Sequence, residues 1–396
     1  MLLWERLVIS ALFIFAILSF IDILTPKGNE FWERYIGFPG RYAIMQGNKV
    51  GYVNGRCRLI IPPKFDQGSN YFKDGVSPVT VSGRWGYIDS KGKWAIAPKF
   101  LWAGEFKEDR AYVFISSAER RGLLKYGYID PAGRLVIPAL YARARDFSEG
   151  AAAVMTAGRW GFIDSQGQWL NIQRFDEVKD FSEGLAAAKE QGKWGFVDRS
   201  GIFIIRPQFD DVKPFAQGLA PAKVNTKWGY IDRTGRWVLE PQWAFVNQFS
   251  NDRAIADGDY IDKTGKIAIN GGNFGELTDF SEGFAAVEVP AKTRYENSKW
   301  GYIDPDGNFL IGPRFELARP FKGGLARVSK DKNGLERGYA FRDGRLVWDP
   351  ADWEKSATYN RNVKMAQTIF AFFLGVIVLH FLKNRNRKLY TVRTIS

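Results

Sequence analysis

Small, aromatic and β-branched residues recur along this chain in a pattern that repeats nine times between residues 40 and 349, with a basal period of 34 residues. The clearest copy runs from Phe181 to Phe209. It contains a run of small residues (GLAAA from Gly184), a run of alternating aromatic and β-branched residues (WGFVD from Trp194), and a run that ends at proline (IFIIRP from Ile202). A period of this length is typical of stacked supersecondary units. The pattern therefore predicts an all-β array of about nine three-stranded antiparallel units.

The second and third runs of most copies are separated by the motif D-x-x-G. An acceptor at its first position and a glycine at its fourth are typical of a three-residue hairpin loop that ends in a left-handed residue. We interpret the aspartates as structural turn residues: Asp89, Asp130, Asp164, Asp198, Asp232, Asp262 and Asp304. The motif supplies too few oxygen ligands for calcium, so we expect no metal and no cofactor. In the first and last copies, Asn54-Gly55 and Asp343-Gly344 predict two-residue type I′ turns instead.

One tryptophan precedes the glycine of the second run in five copies, and its regular position predicts a structural role in the core. These structural tryptophans are Trp85, Trp160, Trp194, Trp228 and Trp300. The motif F-S-E-G follows the third run and places a glutamate at one repeated loop position, as at Glu149, Glu183 and Glu282. Because these acids recur in successive copies, we expect them to hold backbone donors at a turn rather than to act as general acids.

The nine copies are compatible with an open solenoid or with a closed ring. Propeller blades usually have four strands and use about 40 residues, whereas this unit is shorter and has three predicted strands. No copy is divided between the two ends of the array to seal a ring. We therefore expect an open twisted solenoid, with a propeller-like ring as the alternative.

Two apolar runs flank the repeats and predict membrane segments. Residues 7–21 carry no charge, and large residues follow them without a small-residue cleavage site. Residues 365–382 form an 18-residue apolar run between two lysines, which is long enough for a transmembrane helix. The predicted organisation is a transmembrane anchor or uncleaved signal at 1–24, a linker at 25–39, the repeat domain at 40–350, a linker at 351–364, a transmembrane helix at 365–382 and a basic tail at 383–396.

Basic residues set the predicted orientation. The tail after residue 382 contains five lysines and arginines and no acid, which indicates a cytoplasmic end. With two spans, both termini lie in the cytoplasm and the repeat domain faces the outside of the inner membrane of a bacterial cell. The chain has a formal net charge of +13, and the repeat domain is itself basic. This charge suits a protein or an anionic envelope component, such as a lipid headgroup or wall polymer, and nucleic acid is an unlikely partner there.

The copies differ most in the loop between the first and second runs. Equivalent positions are 17 residues apart in the third and eighth copies, against 10 in the second, fourth, fifth and sixth. Deviating copies are where repeat arrays often carry function. We predict that cations in and beside the long loops bind the partner: Arg120, Arg121, Lys125, Lys292, Arg294 and Lys299. Tolerated insertions with no function are the alternative explanation.

Aromatic side chains are a second candidate surface, because exposed tryptophans stack on sugars and on choline-like headgroups. Trp102, Trp169 and Trp353 stand outside the regular positions of all three runs and are the predicted stacking residues.

Catalytic chemistry finds little support in the sequence. The only histidine, His380, lies in the second apolar run, and nearly every acid belongs to a repeated set. The single Cys57 excludes an intramolecular disulfide. We predict no catalytic residue and a membrane-anchored, non-catalytic binding or scaffold protein. A glycan- or cell-wall-binding module is the alternative, and a glycoside-acting enzyme that uses repeat carboxylates ranks below both.

The residues K-W-G-[YF]-[IV]-D-x-x-G-x-x-V-I-x-P-x-F-D, followed by F-S-E-G-L-A, resemble the WG-repeat (KWG) β-repeat proteins of bacteria over roughly residues 40–350. The resemblance implies a non-catalytic binding or scaffolding array, sometimes fused to membrane segments. The chain departs from the motif in the seventh copy, where Gly258 and Asp259 replace Trp-Gly. In the first and last copies Val50 and Arg337 replace the tryptophan, as expected of capping repeats.

Overall fold

The computed structural model describes residues 41–46, 48–54, 59–70, 72–116, 124–291, 293, 297–330 and 337–347. These residues belong to one compact unit of the chain, Gly40–Asp349. They form nine antiparallel β-sheets, one for each copy of the sequence pattern, so the all-β class and the number of units are confirmed. Within these ranges no helix is long and apolar enough to span a bilayer. Both predicted membrane segments lie outside them.

Each sheet is a meander, and its strands are named A to D in chain order, with B, C and D corresponding to the three predicted runs. Sheets 1 to 5 contain, in order, β1 (Arg41–Gln46), β2 (Lys49–Asn54) and β3 (Leu59–Phe65); β4 (Gln67–Gly68), β5 (Val76–Val81), β6 (Arg84–Asp89) and β7 (Trp94–Phe100); β8 (Trp102–Ala103), β9 (Ala111–Ser116), β10 (Leu124–Ile129) and β11 (Leu135–Tyr141); β12 (Arg143–Ser148), β13 (Ala151–Thr156) and β14 (Arg159–Ile163); β15 (Glu177–Val178), β16 (Ala186–Glu190), β17 (Lys193–Val197) and β18 (Phe203–Phe209).

Sheets 6 to 9 continue the same order with one short 3-10 helix, η1 (Gly271–Asn273), after sheet 7. They contain β19 (Asp211–Val212), β20 (Ala220–Val224), β21 (Lys227–Ile231) and β22 (Trp237–Trp243); β23 (Ala254–Ala256), β24 (Asp259–Ile261) and β25 (Ile267–Ile269); β26 (Ala285–Val289), β27 (Lys299–Ile303) and β28 (Phe309–Phe315); β29 (Leu317–Ala318), β30 (Leu325–Ser329), β31 (Arg337–Phe341) and β32 (Leu346–Val347).

The predicted set of three strands is incomplete, because five sheets contain a fourth strand of two residues that pairs with strand B. Sheet 4 departs in the other direction: its strand A is the six-residue β12, while its third run makes only the isolated bridges Ile163–Trp169 and Trp160–Phe175. Within that run Gln173 occupies the position of the usual proline. The third run was predicted as a strand in every copy, and in sheet 4 it is not one.

The D-x-x-G motifs form three-residue hairpin loops. In the first of them the Gly92 amide donates to the Asp89 carbonyl at 2.9 Å, and the Asp89 carboxylate accepts from the amides of Lys91 and Lys93, both at 2.9 Å. Gly92 has φ +79°, which glycine adopts without steric cost. Carboxylate bonds to backbone amides of the same loop are found at Asp130, Asp164, Asp198, Asp232, Asp262 and Asp304.

The predicted type I′ turn at Asp343-Gly344 is wrong. The Gly344 amide donates to the Phe341 carbonyl at 3.0 Å, and the Phe341 amide donates to Arg345 at 2.9 Å. Of the two residues, only Gly344 has a positive φ, whereas type I′ requires two. Phe341 therefore replaces the usual aspartate in an ordinary three-residue loop. At the other turn of this kind, Gly55 lies outside the described residues.

Adjacent sheets are joined by a repeated tyrosine bond. The Tyr87 hydroxyl of strand C donates to the Gly104 carbonyl of the next sheet at 2.7 Å, and Tyr87 has no exposed surface. The same bond to the next sheet recurs at Tyr52, Tyr128, Tyr230, Tyr260 and Tyr302. A buried hydroxyl requires a partner, so this bond orients each sheet on its neighbour.

The F-S-E-G turns make a second inter-sheet contact. The Glu149 carboxylate accepts from the amides of Glu183 and Gly184 at 2.7 and 2.8 Å, and the Ser148 hydroxyl donates to the Phe181 carbonyl at 2.8 Å. Glu183 and Glu282 repeat the carboxylate contact with sheets 6 and 9. The glutamates hold backbone donors, as expected, and the donors belong to the turn of the following sheet.

The first and last sheets are in direct contact. The Tyr339 hydroxyl donates to the Ala43 carbonyl at 2.5 Å, and the Tyr339 ring lies 5.8 Å from that of Tyr42. Arg327 also donates to the Asn70 side chain at 2.8 Å. Tyr339 occupies the strand C position of the other inter-sheet tyrosines. No single sheet closes into a barrel, but the array returns on itself, so the expected open solenoid is wrong and the ends meet in a propeller-like ring.

Candidate binding face

Connections between strands B and C all lie at one end of the ring, because antiparallel neighbours reverse direction at each hairpin. We name this end the B–C face; the D-x-x-G loops and F-S-E-G turns lie at the opposite end. Five of the connections are two-residue turns with positive φ at both residues: 82–83, 157–158, 191–192, 225–226 and 257–258. Strands β9 and β26 also end at this face, and the connections that follow them, 117–123 and 290–298, lie largely outside the described residues.

Ion pairs link the KWG lysine to the acid that follows strand D. Lys193 Nζ lies 2.6 Å from Asp210, whose carboxylate also accepts from the Asn225 amide of the next sheet at 2.9 Å. The Lys193 bond, followed by the Asn225 bond, lowers the pKa of Asp210. Lys299, a predicted partner-binding residue, makes the equivalent ion pair with Glu316. Its charge is therefore engaged within the ring.

The repeated tryptophans begin strand C at the B–C face, and four of them are 5 to 7% exposed: Trp160, Trp194, Trp228 and Trp300. Cations cover several of these rings. Lys179 Nζ lies 5.0 Å and Lys189 Nζ 5.7 Å from the ring centroid of Trp194. The corresponding stacks are Arg145 on Trp160 and Lys213 and Lys223 on Trp228. Trp85 is half-buried.

A polar cleft of about 680 Å³ lies among sheets 4, 5 and 6, with Trp194 in its wall. Its charged lining comprises Arg145, Lys179, Lys189 and Lys223 together with Glu177, Asp180, Asp210 and Asp211. Lys189 pairs with Glu177 at 2.7 Å and Lys179 with Asp211 at 3.4 Å. Lys223 has no ion pair within the described part of the chain. It is therefore the cation of this cleft with charge to offer a ligand.

Asp180 is the least satisfied carboxylate of the cleft. Its Oδ1 atom is buried without a hydrogen bond, and the nearest cation, Arg145, is 3.8 Å away. Burial raises the pKa of Asp180, Arg145 lowers it and Asp146 raises it, with a net upward shift. The folded state therefore holds this proton more tightly than the unfolded state, and stability from the group is lost as pH rises through the folded pKa.

Asp180→Asn is expected to raise the thermal midpoint at pH 7 by about 2 °C. The gain is expected to vanish below about pH 3.9, where aspartate is protonated in both states. Thermal unfolding of the full chain between pH 3 and pH 7 measures this. Asp211→Asn, which removes the partner of Lys179, is the control and should lower the midpoint at pH 7. A lower midpoint for Asp180→Asn at pH 7 would contradict the assignment.

An aromatic platform lies beside this cleft, on sheets 2 and 3. It consists of Trp85, Trp102, Tyr112, Phe114 and Tyr126. Trp102 is 44% exposed, its ring lies 4.9 Å from that of Trp85, and its side chain lies next to that of Tyr112. The Tyr126 ring lies 6.1 Å from Tyr112 and 4.6 Å from Phe114. The five rings are therefore contiguous, and all but Trp102 are half-buried.

Gly104 explains why sheet 3 carries an uncovered platform. This position holds the covering cation in the next three sheets: Arg145, Lys179 and Lys213. A Cβ atom on Gly104 would lie 2.5 Å from the Tyr112 ring, so glycine leaves room for that ring. Without a long cation at this position, the rings of sheet 3 remain open to solvent.

Sheet 3 contains one residue from each of the two predicted binding sets, the stacking residue Trp102 and the cation Lys125. Trp102 pairs with Phe114 in strand B, and Lys125 pairs with Ile115 of the same strand, on the opposite face of the sheet. Trp169 is not outside the regular pattern: it pairs with Ile163 as Trp94 pairs with Ile88, and Arg174 stacks on it at 3.7 Å. The remaining predicted residues lie outside the described ranges: Arg120, Arg121, Lys292, Arg294 and Trp353.

Several residues of this face escaped the sequence reasoning, namely Tyr112, Phe114, Tyr126, Arg143 and Lys223. Arg143 is exposed, has no ion pair in the part of the chain that the structure describes, and begins strand A of sheet 4 as Trp102 does in sheet 3. In an alignment of strand A, Trp102 and Arg143 stand at the position where sheets 5 and 6 have the acids Glu177 and Asp211. That difference would have identified both residues. Across the described ranges, no three His, Cys, Asp or Glu side chains are grouped to hold a metal ion.

Solved structures of other proteins are similar to this chain. Among solved structures, the crystal structure of a eukaryotic initiation factor is similar with a TM-score of 0.52 and 11% identity, over 78% of this chain and 96% of that one. Hsv2 of Kluyvelomyces marxianus has a TM-score of 0.35 and 10% identity, over 69% and 93%. At such identity the initiation factor supports the fold alone. No curated protein matches the chain.

A family model described as "WG containing repeat" matches eight segments that together cover more than half of the chain. They are residues 51–85, 85–115, 126–160, 160–194, 194–228, 228–256, 260–289 and 300–333. Most of the segments begin at the WG position of strand C. This chain belongs to the WG-repeat family.

Proposed function

We propose that this protein is a membrane-anchored, non-catalytic binding or scaffold module that recognises its partner through the B–C face. The observation that carries the proposal is the aromatic platform, where Trp102 of strand A is 44% exposed, whereas Trp160, Trp194, Trp228 and Trp300 of strand C are almost fully buried. A large aromatic surface held open beside charged groups is typical of recognition sites. The partner is a protein or an anionic envelope component.

The use of the repeated acids supports a binding role over a catalytic one. The carboxylates of Glu149, Glu183 and Glu282 accept backbone amides of the next sheet. A general acid or base must be within hydrogen-bonding reach of a substrate, and these oxygens are engaged in holding sheets together. A glycoside-acting enzyme built on the repeat carboxylates therefore has less support.

The proposed location rests on the flanking apolar runs at 1–24 and 365–382 and on the basic tail at 383–396. These features support a location of the repeat domain outside the inner membrane of a bacterial cell, with both termini in the cytoplasm. A glycan- or cell-wall-binding module is the second candidate, and the exposure of Trp102 favours it because sugars stack on aromatic faces.

Photocrosslinking of the full-length protein in its membrane tests the proposal. A photoreactive amino acid at position 102 is expected to capture a partner, whereas the same residue at position 94 is not. Trp94 is the matched control, because it is 42% exposed but lies on strand D, away from the platform. Equal capture from both positions, or none from position 102, would refute the B–C face as the binding surface.

A further inference from the structure

We infer that the B–C face of sheets 3 to 6 binds an anionic polysaccharide, with a sugar ring stacked on Trp102 and acidic groups on Arg143 and Lys223. This inference rests on the proposed binding function and names the partner's chemistry. It combines the aromatic platform with Arg143 and Lys223, two cations of the face that have no ion pair among the described residues. Neither Arg143 nor Lys223 belongs to the residues that the sequence pattern predicted.

The platform is preorganised to stack on a flat, weakly polar ring. Trp102 is held by packing on Trp85 at a ring separation of 4.9 Å, so little side-chain freedom is lost when a ligand covers it. Its exposed indole face accepts the C–H face of a sugar, while the hydroxyl groups stay in water. A sugar ring is therefore the ligand unit that this platform fits.

The positive charges of Arg143 and Lys223 favour an acidic ligand. Arg143 is exposed at the start of β12 in the sheet next to the platform, and its guanidinium suits bidentate bonds to a carboxylate or phosphate. Lys223 lines the cleft two sheets further on. The other cleft lysines, Lys179 and Lys189, already pair with carboxylates, so they hold the shape of the cleft rather than provide free charge.

The spacing of the three residues selects a polymer. Trp102, Arg143 and Lys223 lie in sheets 3, 4 and 6, and packed sheets are about 10 Å apart. A monosaccharide cannot reach from sheet 3 to sheet 6, whereas a chain of several sugars can contact all three side chains. The cleft lies on the path between the two ends of this row and provides room for the chain.

A lipid surface fits the platform less well. The B–C face carries ion pairs close to the same surface, including Lys189 with Glu177 at 2.7 Å and Lys179 with Asp211 at 3.4 Å. Insertion of Trp102 among acyl chains would bring these charged groups out of water. A hydrated polysaccharide leaves them solvated.

Binding of defined ligands to the full-length protein in nanodiscs of zwitterionic lipid tests the inference. The ligands are polygalacturonate, which carries carboxylates, a phosphorylated mannan, neutral dextran, and vesicles of phosphatidylglycerol. We expect one or both acidic polysaccharides to bind, with an affinity that falls as salt rises. Dextran should bind at least tenfold more weakly. Binding of neither acidic polymer, or of the vesicles alone, overturns the inference.

Variants locate the site. Trp102→Ala is expected to weaken polymer binding at least tenfold, and Arg143→Ala and Lys223→Ala about threefold to tenfold each. Lys223→Arg should keep the affinity, which separates the loss of charge from a change in folding. Controls are Trp94→Ala and Arg233→Ala, an exposed arginine at the opposite end of the ring; both should stay within twofold. A polymer affinity that is unchanged in Trp102→Ala and Arg143→Ala would contradict the inference.

The two proposals fail separately. Capture of a partner from position 102 without binding of either acidic polymer would leave the binding face intact and reject the polysaccharide. Polymer binding that is insensitive to the platform variants would reject the face itself.

Discussion

Replacing Trp194 by alanine is expected to lower the free energy of unfolding by about 3 to 5 kcal/mol. Trp194 is 5% exposed and packs with Phe196, Ile205 and Phe209 in the core between sheets 5 and 6. The change removes this buried volume and the cation–π contacts of its two lysines. Urea denaturation of the full chain, followed by circular dichroism, measures the difference.

Trp94→Ala is the matched control for this prediction. Trp94 is 42% exposed and packs by its edge on Phe65, so its removal is expected to cost about 1 kcal/mol. If both variants lose the same stability, Trp194 does not act as a core residue.

Gly195→Ala is expected to destabilise the protein by about 3 kcal/mol. A Cβ atom at this position would lie 2.4 Å from the Ile205 carbonyl oxygen and 2.7 Å from the Pro207 nitrogen. Both are backbone atoms of strand D, so the clash cannot be relieved by rotating a side chain. Strand D must move away from strand C, which disturbs the register of the sheet.

Gly312→Ala is the control for the glycine prediction. A Cβ atom there has no atom within 4 Å, so the change is expected to stay within about 0.5 kcal/mol. Comparable midpoints of urea denaturation for Gly195→Ala and Gly312→Ala would show that the WG glycine is not required for the approach of strands C and D.

Most of the local structure follows from short-range chemistry and was therefore predictable. Asp89 and Gly92 determine a turn within four residues, and the alternation after Trp194 determines a strand. The two-residue strands escaped prediction because a segment such as Glu177–Val178 has no measurable period. Phe341 shows the limit of the motif: glycine at the fourth position suffices for the loop even where aspartate is missing.

Ring closure was not predictable, because it depends on contacts between residues almost 300 positions apart. Nothing in the local sequence of Tyr339 says that its hydroxyl meets Ala43 rather than solvent. The sequence predicted three strands in each unit, and propeller blades usually have four, so an open array was expected. The short strand A, which the sequence did not predict, is the fourth strand in five of the sheets.

The binding face was only partly predictable. Trp102 was identified because it departs from the repeated positions, but Tyr112 and Tyr126 lie in regular positions and looked like core. Their exposure depends on what the neighbouring positions lack, above all a side chain at Gly104. The effect of Gly104 on the exposure of these rings is not visible in the hydrophobic pattern of the sequence.

Contact between sheets 9 and 1 has a mechanical consequence. The repeat domain is entered at Arg41 in sheet 1 and left at Val347 in sheet 9, and these two sheets are neighbours. A force that separates the two ends therefore acts most directly on this one junction, because the other eight lie in series along the longer path around the ring. Each sheet is made from one continuous segment of the chain. The contact between sheets 9 and 1 would therefore separate first, and the nine sheets would stay folded.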